Sequence, residues 1–309
     1  MQTSCMPIFV TGNPRACLTR DKQFEMEMTA KPETCLNIGV LGCGPIAQAG
    51  HFESVTKGKN TNLYAICDVA RDLVERFAVT HGAENCFESY ERMLADPNLD
   101  AVIIATADAF HVPAALQALA AGKHVLCEKP LGVTLEEVEA LGRAVAESGL
   151  KLQVGHMKRF DPGLQSAREF IDSEMGDMLA FKAWYCDSTH RYAMTDAVQP
   201  LIVRSTASRR PDHDPKADLQ QYYMLAHGCH LVDTARYLCG EIIAVQARHR
   251  QRFGAYSWFV DVEFANGALG HLDLQPGRPA GSCGPLALRE SDDAPKLQFK
   301  RSHSATSSQ

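Results

Sequence analysis

From Leu36 onward the chain alternates short apolar runs with stretches whose apolar positions recur at helical spacing. "LNIGVLG" reads as a buried strand and Pro45 to Thr56 as the helix after it. "NLYAICD" is followed by a helix from Ala70 to His81, and "DAVIIATA" by "HVPAALQALAAG", a helix stopped at Gly122. "HVLCEKP" precedes a helix from Leu135 to Ser148, and "LKLQVGH" closes the series. Apolar strands separated by helices of this length predict a parallel sheet covered on both faces. Right-handed crossovers then make a doubly wound sheet the economical arrangement.

After His156 the rhythm changes. A helix from Pro162 to Ser173 leads into the strand "MLAFKAWYCDS", and a polar, Pro- and Arg-rich stretch runs on to Asp218. A helix from Tyr222 to Leu238 ends on Gly240. "EIIAVQARHR", "AYSWFVDVEFA" and "GALGHLDLQ" then alternate with period two, as strands of an antiparallel sheet with one covered face do. The expected organisation is a loose extension over 1–35, a doubly wound α/β domain over 36–155 and a second α/β domain with an open antiparallel sheet over 156–275. A Pro-, Gly- and Ser-rich tail over 276–309 reads as disordered. Because the strand pattern stops abruptly at Pro276, the second sheet reads as truncated.

Composition narrows the partners. The 309 residues carry a formal net charge of −6, and no Lys/Arg stripe marks a nucleic-acid or anionic-membrane surface. No apolar run reaches the length needed to span a bilayer, and charges with a proline interrupt the N-terminus where a signal peptide is apolar. The 11 cysteines are scattered through apolar segments without a C-x-x-C, as thiols in a reducing cytoplasm are.

The candidate chemistry gathers at strand ends. Gly42-Cys43-Gly44-Pro45-Ile46-Ala47 follows a strand and opens a helix, where glycines let the backbone approach a pyrophosphate and the helix start faces its charge. Asp68 ends the next strand, 26 residues beyond Gly42. Its carboxylate suits ribose hydroxyls and repels a 2′-phosphate, so NAD is expected over NADP, although Arg71 lies close enough to soften the preference. In "ATADAFH", Thr106 and His111 are candidate cofactor neighbours; His111 reads equally as a solvent-exposed residue at a helix start. "HVLCEKPLGVT" stops an apolar strand on Glu128-Lys129-Pro130. A lysine there can donate to a substrate hydroxyl and stabilise its negative charge, with Glu128 orienting it or contacting the cofactor ribose. His227 and His230 lie three apart in a helical pattern; one is a general-base candidate, the alternative being a core histidine. A metal reading lacks further ligands at supporting spacing. Arg159 either touches cofactor or substrate or is simply solvated.

"LNIGVLGCGPIAQAGH", "DAVIIATADAFHVPAALQALAAGKHVLCEKPLGVT", "GHMKRFDP" and "HGCHLVDTARYLCG", in this order, resemble the Gfo/Idh/MocA oxidoreductases. The resemblance covers Leu36 to Gln275. It implies a Rossmann domain followed by an α/β domain and a sugar or cyclic polyol substrate; the one-sided apolar face of the second sheet, which needs cover, separately predicts a homo-oligomer, dimer or tetramer. Lys129 maps onto the family's active-site lysine and His230 onto its catalytic histidine, with His227 a further candidate. Many members carry an aspartate four residues before that histidine; here the position is Ala226. That departure, with the early end of the strand pattern, leaves a rival expectation: a non-catalytic dinucleotide-binding remnant.

Overall fold

The computed structural model describes residues 35–186, 202–209, 211–212, 216–252 and 255–276; the N-terminal extension, the tail and part of the 188–218 stretch lie outside them. The described residues form two compact units. One holds the chain through Met157 together with the described part of 202–226, and the other holds Lys158 to Cys186 and His227 to Pro276. The segment 202–226, assigned from sequence to the second domain, therefore packs with the first unit.

The first unit is a six-stranded parallel sheet in the order β3-β2-β1-β4-β5-β6, comprising Leu36–Leu41 (β1), Thr61–Cys67 (β2), Asn85–Phe87 (β3), Ala101–Ile104 (β4), His124–Cys127 (β5) and Leu152–Val154 (β6). The order reverses direction between β1 and β4, the switch point at which doubly wound sheets bind ligands. Helices α1 (Phe52–Lys57) and α2 (Arg71–His81) cover one face through Phe52, Val55, Leu73, Val74 and Phe77. On the other face α3 (Tyr90–Leu94), α4 (His111–Ala120) and α5 (Leu135–Ser148) contribute Met93, Val112, Ala115, Leu119 and Leu141. The Leu135 start of α5 follows from its cap: the Thr134 hydroxyl accepts from Glu137 N at 3.3 Å and the Glu137 carboxylate from Thr134 N at 2.9 Å.

Lys123 is 8% exposed, and its ammonium donates to the Asp96 and Leu99 carbonyls, each at 2.8 Å. Methionine there keeps the stem but strands both carbonyls. Lys123→Met is expected to destabilise the first unit by about 1–2 kcal/mol, part of the lost bonding being offset by relief of the buried charge. Urea denaturation followed by far-UV circular dichroism checks it.

The second unit holds α6 (Pro162–Phe170) and β7 (Ala180–Cys186). After the short α7 (Leu219–Tyr223), which belongs to the first unit, it resumes with α8 (Cys229–Cys239), β8 (Ile242–Arg252), β9 (Ala255–Phe264) and β10 (Leu269–Gln275). Strands β8, β9 and β10 are antiparallel as the alternation implies, but β7 joins β10 in parallel, so the sheet is mixed, in the order β7-β10-β9-β8. Period-two alternation records which face is covered and carries no information on strand direction. Tyr256, Trp258, Val260, Val262, Phe264, Leu272 and Leu274 line the covered face. Within this unit Trp184, Phe259 and Leu269 remain exposed on the other.

Candidate active site

The loop after β1 is built around Gly42, whose φ of 98° lies in the region that favours glycine. A Cβ there would stand 2.8 Å from the Ala105 carbonyl at the end of β4. Gly44 follows, and Pro45 and Ile46 begin the helical turn, with the Ile46 side chain exposed. A wide, π-type turn over Ala47–His51 then leads into α1. Asp68, just past β2, is bound into the same loop: its carboxylate accepts from Cys43 N at 2.7 Å and from Ala70 N at 2.9 Å. A tight glycine turn, a helix start and an acid at the next strand end are together what a dinucleotide requires of a protein, and these residues fit one. Burial, with the Asp68 charge second, pushes the Cys67 thiol up to about 12. Burial likewise pushes Cys127 up to about 12, with Glu128 second, so both behave as packing groups rather than nucleophiles.

The loop after β4 carries Thr106 and His111. Thr106 is half-buried, with its hydroxyl 3.4 Å from the Ala107 carbonyl. His111 is not a solvent-exposed helix start. It is 1% exposed, with Nδ1 2.7 Å from the Pro130 carbonyl and Nε2 3.1 Å from the Thr106 carbonyl. With its ring nitrogens facing the Pro130 and Thr106 carbonyls, the side chain joins the loop after β4 to the loop after β5.

That second loop is Glu128-Lys129-Pro130, with a cis Lys129–Pro130 bond. Glu128 N still pairs with the Ile104 carbonyl, so the charged residues begin where the strand ladder ends. The Glu128 carboxylate accepts from Lys129 N at 3.1 Å and lies 2.9 Å from His51 Nε2. Burial acts to raise the Glu128 carboxyl, but hydrogen bonding and charge from His51, then from Lys129, outweigh it and hold the group below the ordinary carboxylate range. The Lys129 ammonium reaches the Ala226 carbonyl at 3.5 Å, the outer limit of a hydrogen bond. The backbone of Ala226 thus stands near Lys129.

Sequence reasoning missed His51, whose only signal was a histidine at the end of "GPIAQAGH". The polar stretch running to Asp218, which reads from sequence as a loop over a site, contains a strap over 202–209 whose individual partners left no sequence signal. Gln48 pairs with Val203 in both directions (2.9 Å each), Ser205 donates to Asp72 at 2.8 Å, and Arg209 lies 4.8 Å above the Phe110 ring. The strap therefore touches elements following β1, β2 and β4.

The remaining candidates belong to the second unit. The Arg159 guanidinium forks onto Asp233, Nε to Oδ2 at 2.9 Å and Nη2 to Oδ1 at 2.6 Å, and lies 5.6 Å above the Tyr237 ring. His227 sits in a second wide turn, Met224–Gly228, with its ring 5.7 Å from that of Tyr185. His230 lies on α8. Because the wide turn changes the rotation per residue, the spacing of His227 and His230 is not that of one regular helix. Among the described residues no group of three His, Cys, Asp or Glu side chains is arranged to hold a metal ion. No described helix is long and apolar enough to cross a membrane.

Comparison with known proteins agrees with this layout. Residues 36–156 match the family model described as "Oxidoreductase family, NAD-binding Rossmann fold", and residues 164–283 match "GFO/IDH/MocA C-terminal domain". The myo-inositol 2-dehydrogenase of Thermotoga maritima is 30% identical over 260 residues, 77% of this chain and 68% of that one. The scyllo-inositol 2-dehydrogenase (NAD(+)) of Bacillus subtilis is 29% identical over 252 residues, 78% and 68% of the two chains. Among solved structures, GenD2 from gentamicin A biosynthesis, in complex with NAD, superposes with a TM-score of 0.65 at 26% identity, covering 82% of this chain and 69% of that one. The chain spans between 39% and 68% of the length of the curated relatives it matches. With both family domains matched in order around the glycine turn and the Glu128-Lys129-Pro130 loop, the chain belongs to the Gfo/Idh/MocA oxidoreductase family.

Proposed function

We propose that this chain is an NAD-dependent dehydrogenase acting on a secondary hydroxyl of a cyclic polyol or related sugar, with Lys129 at its reacting centre. The observation that carries this reading is the clamping of the Lys129 backbone at the carboxyl end of β5, in the same unit as the Gly42 turn and Asp68. Gly42, Gly44, Pro45, Ile46 and Asp68 would hold the dinucleotide, whose nicotinamide supplies the hydride acceptor when bound. The Lys129 ammonium donates to the substrate oxygen and stabilises the negative charge that grows there as its proton leaves. Proton acceptance is assigned to His230, with His227 second, on the sequence resemblance; imidazole titrates in the range this step needs. Dehydrogenases among the relatives do not favour a non-catalytic remnant. The test is NADH production across a panel of inositols and sugars, run beside NADH binding. Binding without turnover of any of them would return the remnant reading to first place.

The same reading prefers NAD to NADP. Asp68 opposes a 2′-phosphate, and Arg71, which would welcome one, is tied to Glu75 at 2.6 Å and Glu88 at 3.6 Å. NADH is expected to bind about tenfold or more tighter than NADPH, and Asp68→Asn to narrow the ratio by about tenfold. Fluorescence titration of both cofactors measures it; clear NADPH preference in the unaltered protein would refute the assignment. Exposure of Trp184, Phe259 and Leu269 on one sheet face supports self-association as a dimer or tetramer, which sedimentation checks.

A further inference from the structure

The side chain that holds the Lys129 backbone is itself held. Glu128 accepts the Lys129 N–H through one oxygen at 3.1 Å and meets His51 Nε2 with the other at 2.9 Å. The two side chains are only 16% (His51) and 13% (Glu128) exposed. Gly155, just past β6, leaves room for the same carboxylate: a Cβ there would stand 3.2 Å from its oxygen and 3.3 Å from its carbon. His51 ends the wide turn that follows the glycine loop, whereas Glu128 and Lys129 follow β5. The contact therefore joins two elements 77 residues apart: the one that begins at Gly42 and the one that carries Lys129.

A solvated ion pair in this place would do little, because water competes for both partners. Here little water reaches the pair, and the carboxylate has a specific second task, the Lys129 amide. Without His51, Glu128 has one fewer donor to fix its rotamer and can turn away from that amide. A small change in backbone direction is then carried along the lysine stem to the ammonium.

We propose that His51 is a positioning residue, which holds Glu128 in the rotamer that accepts the Lys129 amide and so keeps the lysine in register with the Gly42 loop. This rests on the reading of Lys129 as an active-site residue. The test uses the full chain with His51→Leu, His51→Gln, Gly155→Ala and Lys129→Ala. It measures hydrogen exchange of the Lys129 amide by NMR, kcat and KM on the best polyol, and NADH affinity.

In His51→Leu the Lys129 amide is expected to exchange on the order of tenfold faster, as loss of one hydrogen bond allows. Turnover should fall by about 10- to 100-fold, the scale of a misplacement near 1 Å, with KM and NADH affinity held within about threefold. Glutamine can still donate to Glu128, so His51→Gln should recover both amide protection and turnover. Gly155→Ala crowds the carboxylate from the other side and should release the same amide with His51 intact. An unchanged Lys129 amide in His51→Leu, or no recovery in His51→Gln, would overturn the proposal. If Lys129→Ala keeps its turnover, the lysine's catalytic role falls, while amide exchange still decides whether the clamp exists. If no polyol is turned over, exchange of the Lys129 amide in His51→Leu and His51→Gln supports or overturns the clamp by itself.

Discussion

Lys129→Ala is expected to lower turnover of an accepted polyol by about 10²- to 10³-fold, the cost of removing one donor from a developing oxyanion. NADH should still bind with nearly unchanged affinity. The glycine turn is fixed by the Gly42 N–H on the Cys67 carbonyl at 2.8 Å and by the Asp68 carboxylate, none of which involves the lysine side chain. The cis Lys129–Pro130 turn is likewise anchored from outside that side chain, by Glu128 on the amide and His111 on the Pro130 carbonyl. Alanine therefore removes the ammonium while leaving the loop its anchors. The loss should appear in kcat and in kcat/KM together, because the interaction grows as charge develops on the oxygen. Lys129→Arg separates charge from placement: it keeps the cation but carries it on a broad planar fork, and is expected to recover only part of the rate. Steady-state kinetics beside an NADH titration measure all of this. Turnover unchanged in Lys129→Ala would remove the lysine from the chemistry.

The strand ends were readable because each announces itself locally. An apolar run stopping on Asp68 or on Glu128-Lys129-Pro130 needs no knowledge of the rest of the chain, and Leu135–Ser148 follows from its cap and periodicity. What escaped was long-range pairing. His51 meets Glu128 across 77 residues, and Arg159 meets Asp233 across 74, and neither distance leaves a periodic trace. His111 sits where a strand-end histidine was expected, but its role is set by two carbonyls brought together by tertiary folding. The short edge strand Asn85–Phe87 has no apolar run to betray it, being three residues with a polar start. The parallel placement of β7 escaped for a different reason: alternation reports faces, and direction is fixed by the intervening chain.

Arg159→Ala is expected to destabilise the second unit by about 2–3 kcal/mol and to leave NADH affinity unchanged. Asp233 is only 6% exposed, so removing the guanidinium leaves a buried carboxylate without its two-pronged partner. Breaking a fully buried pair costs about 3–5 kcal/mol; the lower figure applies because Arg159 is itself 41% exposed and water can take its place. The guanidinium also lies over the Tyr237 ring, and that contact goes with it. Arg159→Lys keeps a charge beside Asp233 but not the parallel pair of donors, so it should fall between the two. Both tryptophans of the chain, Trp184 and Trp258, lie in this unit, so their fluorescence during urea denaturation reports its unfolding separately from that of the Rossmann sheet. The opposite result, stability unchanged with NADH affinity reduced tenfold or more, would return Arg159 to the cofactor. The geometry favours the first outcome: two of its nitrogens already serve Asp233, so its charge is directed at a carboxylate of its own unit.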